Sequence, residues 1–158
     1  MHLQRAKLSS FSCYPIRIAV GVFSWPGRNV VGCPEMDNDH EPALKMLDRL
    51  HEAMIQGRGE RVVLAILDEL NEFYPGYFAR EEALLASTGY PDVEGHRRNH
   101  QSLLKELAEL RRRAGIGHLA ITYDTMQTMR GWIEDHVNVE DRRAAMHVME
   151  HRSSIPPA

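Results

Sequence analysis

Cysteine is scarce in this sequence, since Cys13 and Cys33 are the only two among 158 residues. Two thiols are too few for a zinc site built from cysteine. A disulfide between them is possible, but it would close only the segment ahead of the first predicted helix. Free thiols in a reducing cytoplasm are the favoured interpretation, so we expect a cytoplasmic protein.

A strong excess of one charge and a long apolar run are also missing. The formal net charge is −3 at pH 7, which gives no electrostatic reason to bind nucleic acid or an anionic membrane surface. No apolar run is long enough to cross a bilayer. We therefore expect no nucleic-acid partner and no membrane partner, and the sequence does not identify a protein partner.

The two ends of the chain differ from its centre. Residues 1–34 contain no acidic residue and no convincing secretory cleavage site, so they are expected to form a flexible extension. Residues 151–158 include Pro156 and Pro157 and are expected to be a disordered tail. The intervening residues 35–150 are long enough for one domain with a full hydrophobic core.

Four long helical segments are predicted in the central region. They cover about residues 38–56, 59–87, 91–114 and 118–149 and are separated by connections that contain glycine. Strand signals are weak, because no alternating apolar run stands out. Short connections between long helices are typical of an up-down-up-down four-helix bundle, so the predicted fold class is all-α.

Polar, metal-seeking side chains interrupt the apolar stripes of these helices. Steps of three and four residues place seven of them on or beside the stripes: His40, Tyr77, Glu81, His96, His100, His136 and Asp141. Burial of so many ionisable groups without partners would be prohibitively costly, whereas a metal cluster would satisfy them together. We therefore predict a metal site in the bundle core, to which all four helices contribute.

The spacing within each helix suits metal coordination. His96 and His100 are four residues apart, so they project about 40° apart and both imidazoles can reach one metal. An isolated pair of this kind is weak evidence, because most such histidines lie at the surface or are satisfied within the protein. The complete series of residues in order is much harder to explain without a metal.

The fourth helix carries a different spacing. His136 and Asp141 are five residues apart, which on an α-helix separates them by roughly 140°. The histidine is therefore predicted to bind one metal while the carboxylate reaches sideways to bridge a second. Imidazole with carboxylate suits iron, and also manganese or zinc.

These motifs resemble those of the hemerythrin family, in particular its single-domain bacterial members. The resemblance runs from about Phe23 to Arg143. It is carried by Trp25, by Asp37-x-x-His40, by the aromatic-Phe-x-x-Glu-Glu segment from Tyr77 to Glu82, by Gly89-Tyr90-Pro91, by His96-x-x-x-His100, and by Trp132-x-x-x-His136-x-x-x-x-Asp141. The order and spacing of the motifs together make the resemblance specific.

The resemblance implies a cofactor of two iron ions in an oxo- or hydroxo-bridged di-iron centre. One iron would be held by His96, His100 and His136, and the second by His40 and the ligand from the second helix. Glu81 and Asp141 would bridge the two irons. Members of the family bind dioxygen at the second iron. Ferritin-like di-iron bundles use Glu-x-x-His pairs instead, and this sequence contains none.

The sequence departs from the family at one ligand, because Tyr77 stands where the family has a histidine. Phe78 and the Glu81-Glu82 pair fix the register. Two interpretations stay open: Tyr77 binds the second iron as a phenolate, or it turns away and leaves that iron short of ligands or absent. We favour the phenolate, since a metal cation can deprotonate a ligand below its free pKa. Pro75 just upstream could kink the helix and alter where residue 77 points.

Three functions are compatible with this site. The favoured one is a cytoplasmic di-iron protein that binds dioxygen or another small diatomic, for delivery, storage or sensing. The second is a di-iron enzyme that acts on peroxide or nitric oxide at an iron ligated by tyrosinate. The third is a helical bundle with a vestigial or mononuclear metal site.

Overall fold

The structure is a computed structural model that describes residues 29–116 and 123–152. These residues form α1 Pro34–Ile55, α2 Glu60–Ser87, α3 Val93–Gly115, α4 Tyr123–Asp135 and α5 Arg142–Glu150. A π-helical segment, His136–Asp141, joins α4 directly to α5, so that these three parts form one long fourth helix. The predicted all-α four-helix bundle is thereby confirmed. None of the described helices is both long enough and apolar enough to span a membrane.

The helix ends follow from proline and glycine. α1 begins at Pro34, one turn before the predicted start, because proline at a first helical position lacks only an N–H that would be unpaired anyway. Gly57 and Gly89 have positive φ values of 59° and 69° and lie just beyond the C-termini of α1 and α2. α2 continues as a single helix past Pro75.

The described residues form three apolar clusters, and two of these lie towards opposite ends of the bundle. The first, which we call the distal cluster, includes Leu47, Leu67, Leu70, Leu110 and Met129. The second, which we call the proximal cluster, includes Val31, Met36, Leu85, Val137 and Val148. The residues predicted to bind metal in the first three helices, and His136 in the fourth, lie between these two clusters along the sequence. Asp141 lies between Val137 and Val148 of the proximal cluster. The candidate site is therefore enclosed by packed side chains from both ends.

A short segment before α1 also packs on the bundle. Of the predicted extension 1–34, the described part includes Asn29, Val31 and Cys33, and all three are buried. Cys33 is a free thiol. Residues 1–28, which include Cys13 and Trp25, and residues 153–158 of the predicted tail lie outside the described residues.

Candidate metal centre

Five buried side chains from three parts of the bundle converge in its core. Each of them offers one ligand atom, and these atoms all lie within 4.8 Å of one another; the residues are Glu81, His96, His100, His136 and Asp141. α2 supplies the glutamate, α3 supplies two histidines, and the π-helical segment supplies the other two ligands. All five were predicted from the sequence as metal ligands.

The histidine nitrogens face the carboxylates and one another at close range. His96 Nε2 lies 2.6 Å from Glu81 Oε1 and 3.4 Å from Asp141 Oδ1. His100 Nε2 lies 3.1 Å from His136 Nε2. Donors that each lie about 2.1 Å from a common ion at right angles are about 3 Å apart, so these separations match one coordination sphere.

Asp141 directs its two oxygens towards different partners. Oδ1 lies 3.3 Å from His136 Nε2, on the side of the three histidines. Oδ2 lies 3.1 Å from Nε2 of His40, which α1 supplies. Glu81 has a related asymmetry, because its Oε1 meets His96 whereas its Oε2 is buried without a hydrogen bond. In each carboxylate, therefore, one oxygen lies against the three histidines and the other makes no hydrogen bond to them.

The π-helical segment corrects the geometry expected for the fourth helix. On a regular α-helix His136 and Asp141 would be separated by roughly 140°. In the structure they are the first and last residues of a π-helical segment, and their side chains come within 3.3 Å. Hydrogen bonds between residues five apart place such residues over one another on the same face, and π-helical turns are frequent at functional sites. The separation of roughly 140° therefore does not apply here, whereas the bridging role of Asp141 stays a prediction.

Tyr77 lies on α2, one turn before Glu81, and is buried with 2% of its surface exposed. Its ring centroid lies 5.8 Å from that of His40 in an edge-to-face arrangement. The hydroxyl is buried and has no hydrogen-bond partner of normal geometry. Burial and the nearby charge of Glu81 raise the pKa of Tyr77 well above its usual range, so the phenol is neutral when no cation is close.

Two supporting residues were not singled out from the sequence. Glu82 Oε1 accepts a hydrogen bond from His100 Nδ1 at 2.9 Å, which leaves Nε2 of this histidine as the ligand atom. Phe78 stacks on the same imidazole at a centroid distance of 3.8 Å. The only signal for either residue was its place inside the motif that begins at Tyr77. A hydrogen bond and a stacked ring thus fix the orientation of His100.

The electrostatics of the centre show that its groups are poorly satisfied by one another. Burial and the neighbouring histidines lower the pKa of His136 to about 3, and burial lowers the pKa of His100 to about 3, so both rings are neutral. Burial raises the pKa of Asp141 well above its usual range, and the charge of Glu81 adds to this effect. Burial would also raise the pKa of Glu81, but the hydrogen bond from His96, together with the other nearby histidines, reverses this and lowers it to about 2.

The residues fit a metal better than they fit an empty core. Buried atoms without a hydrogen bond include Glu81 Oε2, Asp141 Oδ1 and His96 Nδ1. Unsatisfied polar atoms in a protein interior each cost about 1–3 kcal/mol, and such atoms are rare. A set of neutral imidazoles and two carboxylates is a donor set that suits iron, manganese or zinc.

An apolar cavity of about 50 Å³ lies beside the His40 and Tyr77 side of the centre. Its walls include both of these residues together with Leu44, Leu103 and Trp132. The volume exceeds the roughly 10–15 Å³ that one water molecule needs, but the walls offer few polar partners that would hold water. The cavity therefore suits a small apolar molecule better than a polar one.

Comparison with known proteins agrees with this geometry. The model of one protein family, described as the hemerythrin HHE cation binding domain, matches residues 32–148. A bacteriohemerythrin of Stenotrophomonas maltophilia is 30% identical over 128 residues, which cover 80% of this chain and 82% of the relative. A bacteriohemerythrin of Methylococcus capsulatus is 26% identical over 106 residues, which cover 67% of this chain and 80% of the relative.

The fold is also similar to solved structures. A wild-type hemerythrin crystal structure superposes with a TM-score of 0.67 at 24% sequence identity and covers 77% of this chain and 91% of that chain. At this level of identity the similarity establishes the fold alone. It places the four helices of this chain in the arrangement of that bundle.

Proposed function

Because this chain belongs to the hemerythrin family, we propose that it is a di-iron protein whose role is to bind dioxygen or a related small diatomic. The family binds a di-iron centre, and this chain has a core cluster of histidine and carboxylate side chains placed to hold metal.

The observation that best supports a dinuclear site is the use of the two oxygens of Asp141. One oxygen faces His136 and the other faces His40, at 3.3 Å and 3.1 Å. A carboxylate that contacts histidines on both of its oxygens is suited to bridge two ions. Glu81, whose Oε2 is buried without a hydrogen bond, is proposed as the second bridge.

In this proposal, His96, His100 and His136 hold the first iron, and His40 and Tyr77 hold the second. Tyr77 would bind as a phenolate. Its buried hydroxyl has no hydrogen bond of normal geometry among the described residues, and the nearest aromatic ring outside its own helix is that of His40. A cation beside this oxygen would supply the partner that it lacks and would lower the high pKa that burial imposes.

A di-iron centre would supply redox-active metal that can bind a small ligand. The chain would supply the cavity beside the metal and the hydrogen bonds that orient its ligands. The apolar cavity beside His40 and Tyr77 would admit a diatomic molecule and exclude bulk water. Glu82 would keep His100 in the tautomer that leaves Nε2 free. These features support binding of an uncharged small molecule in preference to an ionic one.

Tyr77 also favours one alternative function. Phenolate is a harder and more electron-rich donor than imidazole and would stabilise ferric iron. A di-iron enzyme that acts on peroxide or nitric oxide is therefore the second candidate. A cytoplasmic location, with neither nucleic acid nor membrane as a partner, belongs to the same proposal. The free thiol of Cys33 agrees with a reducing compartment.

Visible spectra of the iron-loaded protein test the proposal and separate these candidates. The reduced protein is expected to change its absorption when dioxygen is added and to revert when dioxygen is removed. Consumption of added peroxide or nitric oxide at a sustained rate, without a reversible dioxygen change, would favour the enzyme. Iron-loaded protein with a spectrum that responds to none of these molecules would contradict both functions.

A further inference from the structure

The segment just before α1 reaches the candidate metal centre from outside the bundle helices. We call residues 29–33 the strap. Asp37 anchors it, because its carboxylate accepts hydrogen bonds from the backbone N–H groups of Val31 at 2.8 Å and of Gly32 at 3.0 Å. Gly32 has a φ of 88°, a conformation that other residues adopt only with strain. The strap therefore has a defined conformation on the bundle.

The strap also contacts the π-helical segment that carries two of the candidate ligands. Asn29 is buried, with 5% of its surface exposed, and its side-chain Oδ1 accepts a hydrogen bond from Asn138 Nδ2 at 3.2 Å. Asn138 lies between His136 and Asp141 in sequence. Arg142, the next residue after the segment, donates a hydrogen bond to the Val30 carbonyl at 3.1 Å.

The anchor of the strap also faces His40, because Asp37 Oδ1 lies 3.7 Å from Nδ1 of this ring. The other ring nitrogen, Nε2, lies 3.1 Å from Oδ2 of Asp141, in the π-helical segment to which Asn29 is tied. Histidines that bind metal through Nε2 usually donate Nδ1–H to a carbonyl or carboxylate, which fixes the ring and its tautomer.

We propose that Asn29 is a positioning residue for the second metal position. Its side chain ties the strap to the π-helical segment through Asn138, and this tie keeps Asp37 and Asp141 beside the two ring nitrogens of His40. The inference rests on the proposed function, since it assigns a role to a residue around the same site. Asn29 lies ahead of residues 32–148, the part that the family model matches, so the family match does not assign this role.

Cobalt titration tests this role in the full-length protein, with cobalt(II) as a visible probe. Asn29→Ala and Asn138→Ala each remove the same hydrogen bond. Each is expected to weaken the second cobalt equivalent by about tenfold or more, the effect typical of partners that orient a metal ligand. The first equivalent should change less, because Glu82 and Phe78 continue to hold His100. The double variant should be no weaker than either single variant.

A matched control is Asn71→Ala, which removes a side-chain hydrogen bond to the Leu67 carbonyl elsewhere on α2 and should leave both cobalt affinities unchanged. A second measurement is nitrogen-15 NMR of the histidine rings in the metal-free protein, which reports the nitrogen that carries the proton. His40 is expected to carry its proton on Nδ1 in the wild type and to lose this preference in both strap variants.

Three results would overturn the inference: an unchanged second affinity in folded variants, additive losses in the double variant, or an unchanged His40 tautomer. A wild type that binds only one cobalt ion would contradict the proposed dinuclear site instead. The tautomer measurement would then decide the role of Asn29 without any metal.

Discussion

The individual residues of the centre could be predicted from the sequence because each is a polar side chain on an otherwise apolar stripe. His40, Glu81, His96 and His100 are all buried at the positions that helical periodicity requires. Glu82 was harder to identify, because it lies beside the stripe and acts only through the Nδ1 atom of a neighbouring histidine. Contacts of this kind depend on the packing of two helices and leave no periodic signal.

Tyr77 provides the first prediction at the residue scale. If it binds iron as a phenolate, the oxidised protein will show a visible charge-transfer band from phenolate to iron. Tyr77→Phe is expected to abolish this band and leave the fold intact, because the ring still fills its place among Phe73, Tyr74 and Phe78. The measurement is a visible spectrum of both proteins at equal iron loading.

Two further variants make this comparison decisive. Tyr74→Phe is the control, since it removes a neighbouring phenol whose ring lies 5.7 Å from that of Tyr77, and it should keep the band. Tyr77→His should remove the band and improve reversible dioxygen binding by restoring the ligand that the family uses. Identical spectra for the wild type and Tyr77→Phe would show that this residue does not bind iron.

The elements of the fold could be predicted with one exception. The helices end just before Gly57 and Gly89 because these glycines adopt positive φ values. The predicted start of α1 lay one turn too far along the chain, because Pro34 was not recognised as its first residue. The π-helical segment had no recognisable signal. Its conformation depends on the contacts of His136, Asp141 and the strap, which come from distant parts of the chain. Helical periodicity therefore predicted the wrong angle between these two ligands.

A single deletion tests the role of the π-helical segment. Val139 lies within it and is 60% exposed, so its removal shortens the segment without taking a residue from the core. We expect an α-helix in its place and a metal-free protein at least as stable as the wild type, because π-helical turns have poorer geometry. Metal affinity should fall, because His136 and Asp141 would then be four residues apart on an α-helix and their side chains would diverge by about 40° instead of lying over one another.

Val139→Ala is the control for this deletion and should bind metal as the wild type does. Thermal melts of the metal-free proteins and iron analysis after dialysis against a weak chelator give the two measurements. A deletion variant that retains iron as tightly as the wild type would show that the π-helical geometry is not needed for the site.

At the scale of the whole molecule, the metal-free protein should lose stability in acid. The pKa values of His100 and His136 are about 3 in the folded state, and burial also lowers the pKa of His40. In the unfolded chain all three titrate near 6.5, so below that pH the unfolded state binds more protons. Asp141 acts in the opposite direction, because its raised pKa lets the folded state keep one proton that the unfolded state has lost. The histidines outnumber it between about pH 6.5 and pH 3, so in this window the stability of the metal-free protein falls as the pH drops.

The expected slope is on the order of 1 kcal/mol per pH unit for each unbalanced proton. Denaturant melts of the metal-free protein at pH 7.5 and pH 5 measure it. The iron-loaded protein should be more stable at pH 7.5, because metal binds only the folded state. Equal stability of the metal-free protein at both pH values would show that these histidines are not held neutral in the core.

The central claim is that the core of this bundle holds two irons, and an iron count on protein loaded anaerobically with ferrous iron tests it most directly. The account predicts about two irons per chain. His100→Ala is expected to lose more iron than Tyr77→Phe, because His100 belongs to the cluster of five buried residues whose ligand atoms lie within 4.8 Å of one another. One iron per chain, or none, in folded wild-type protein would contradict the account.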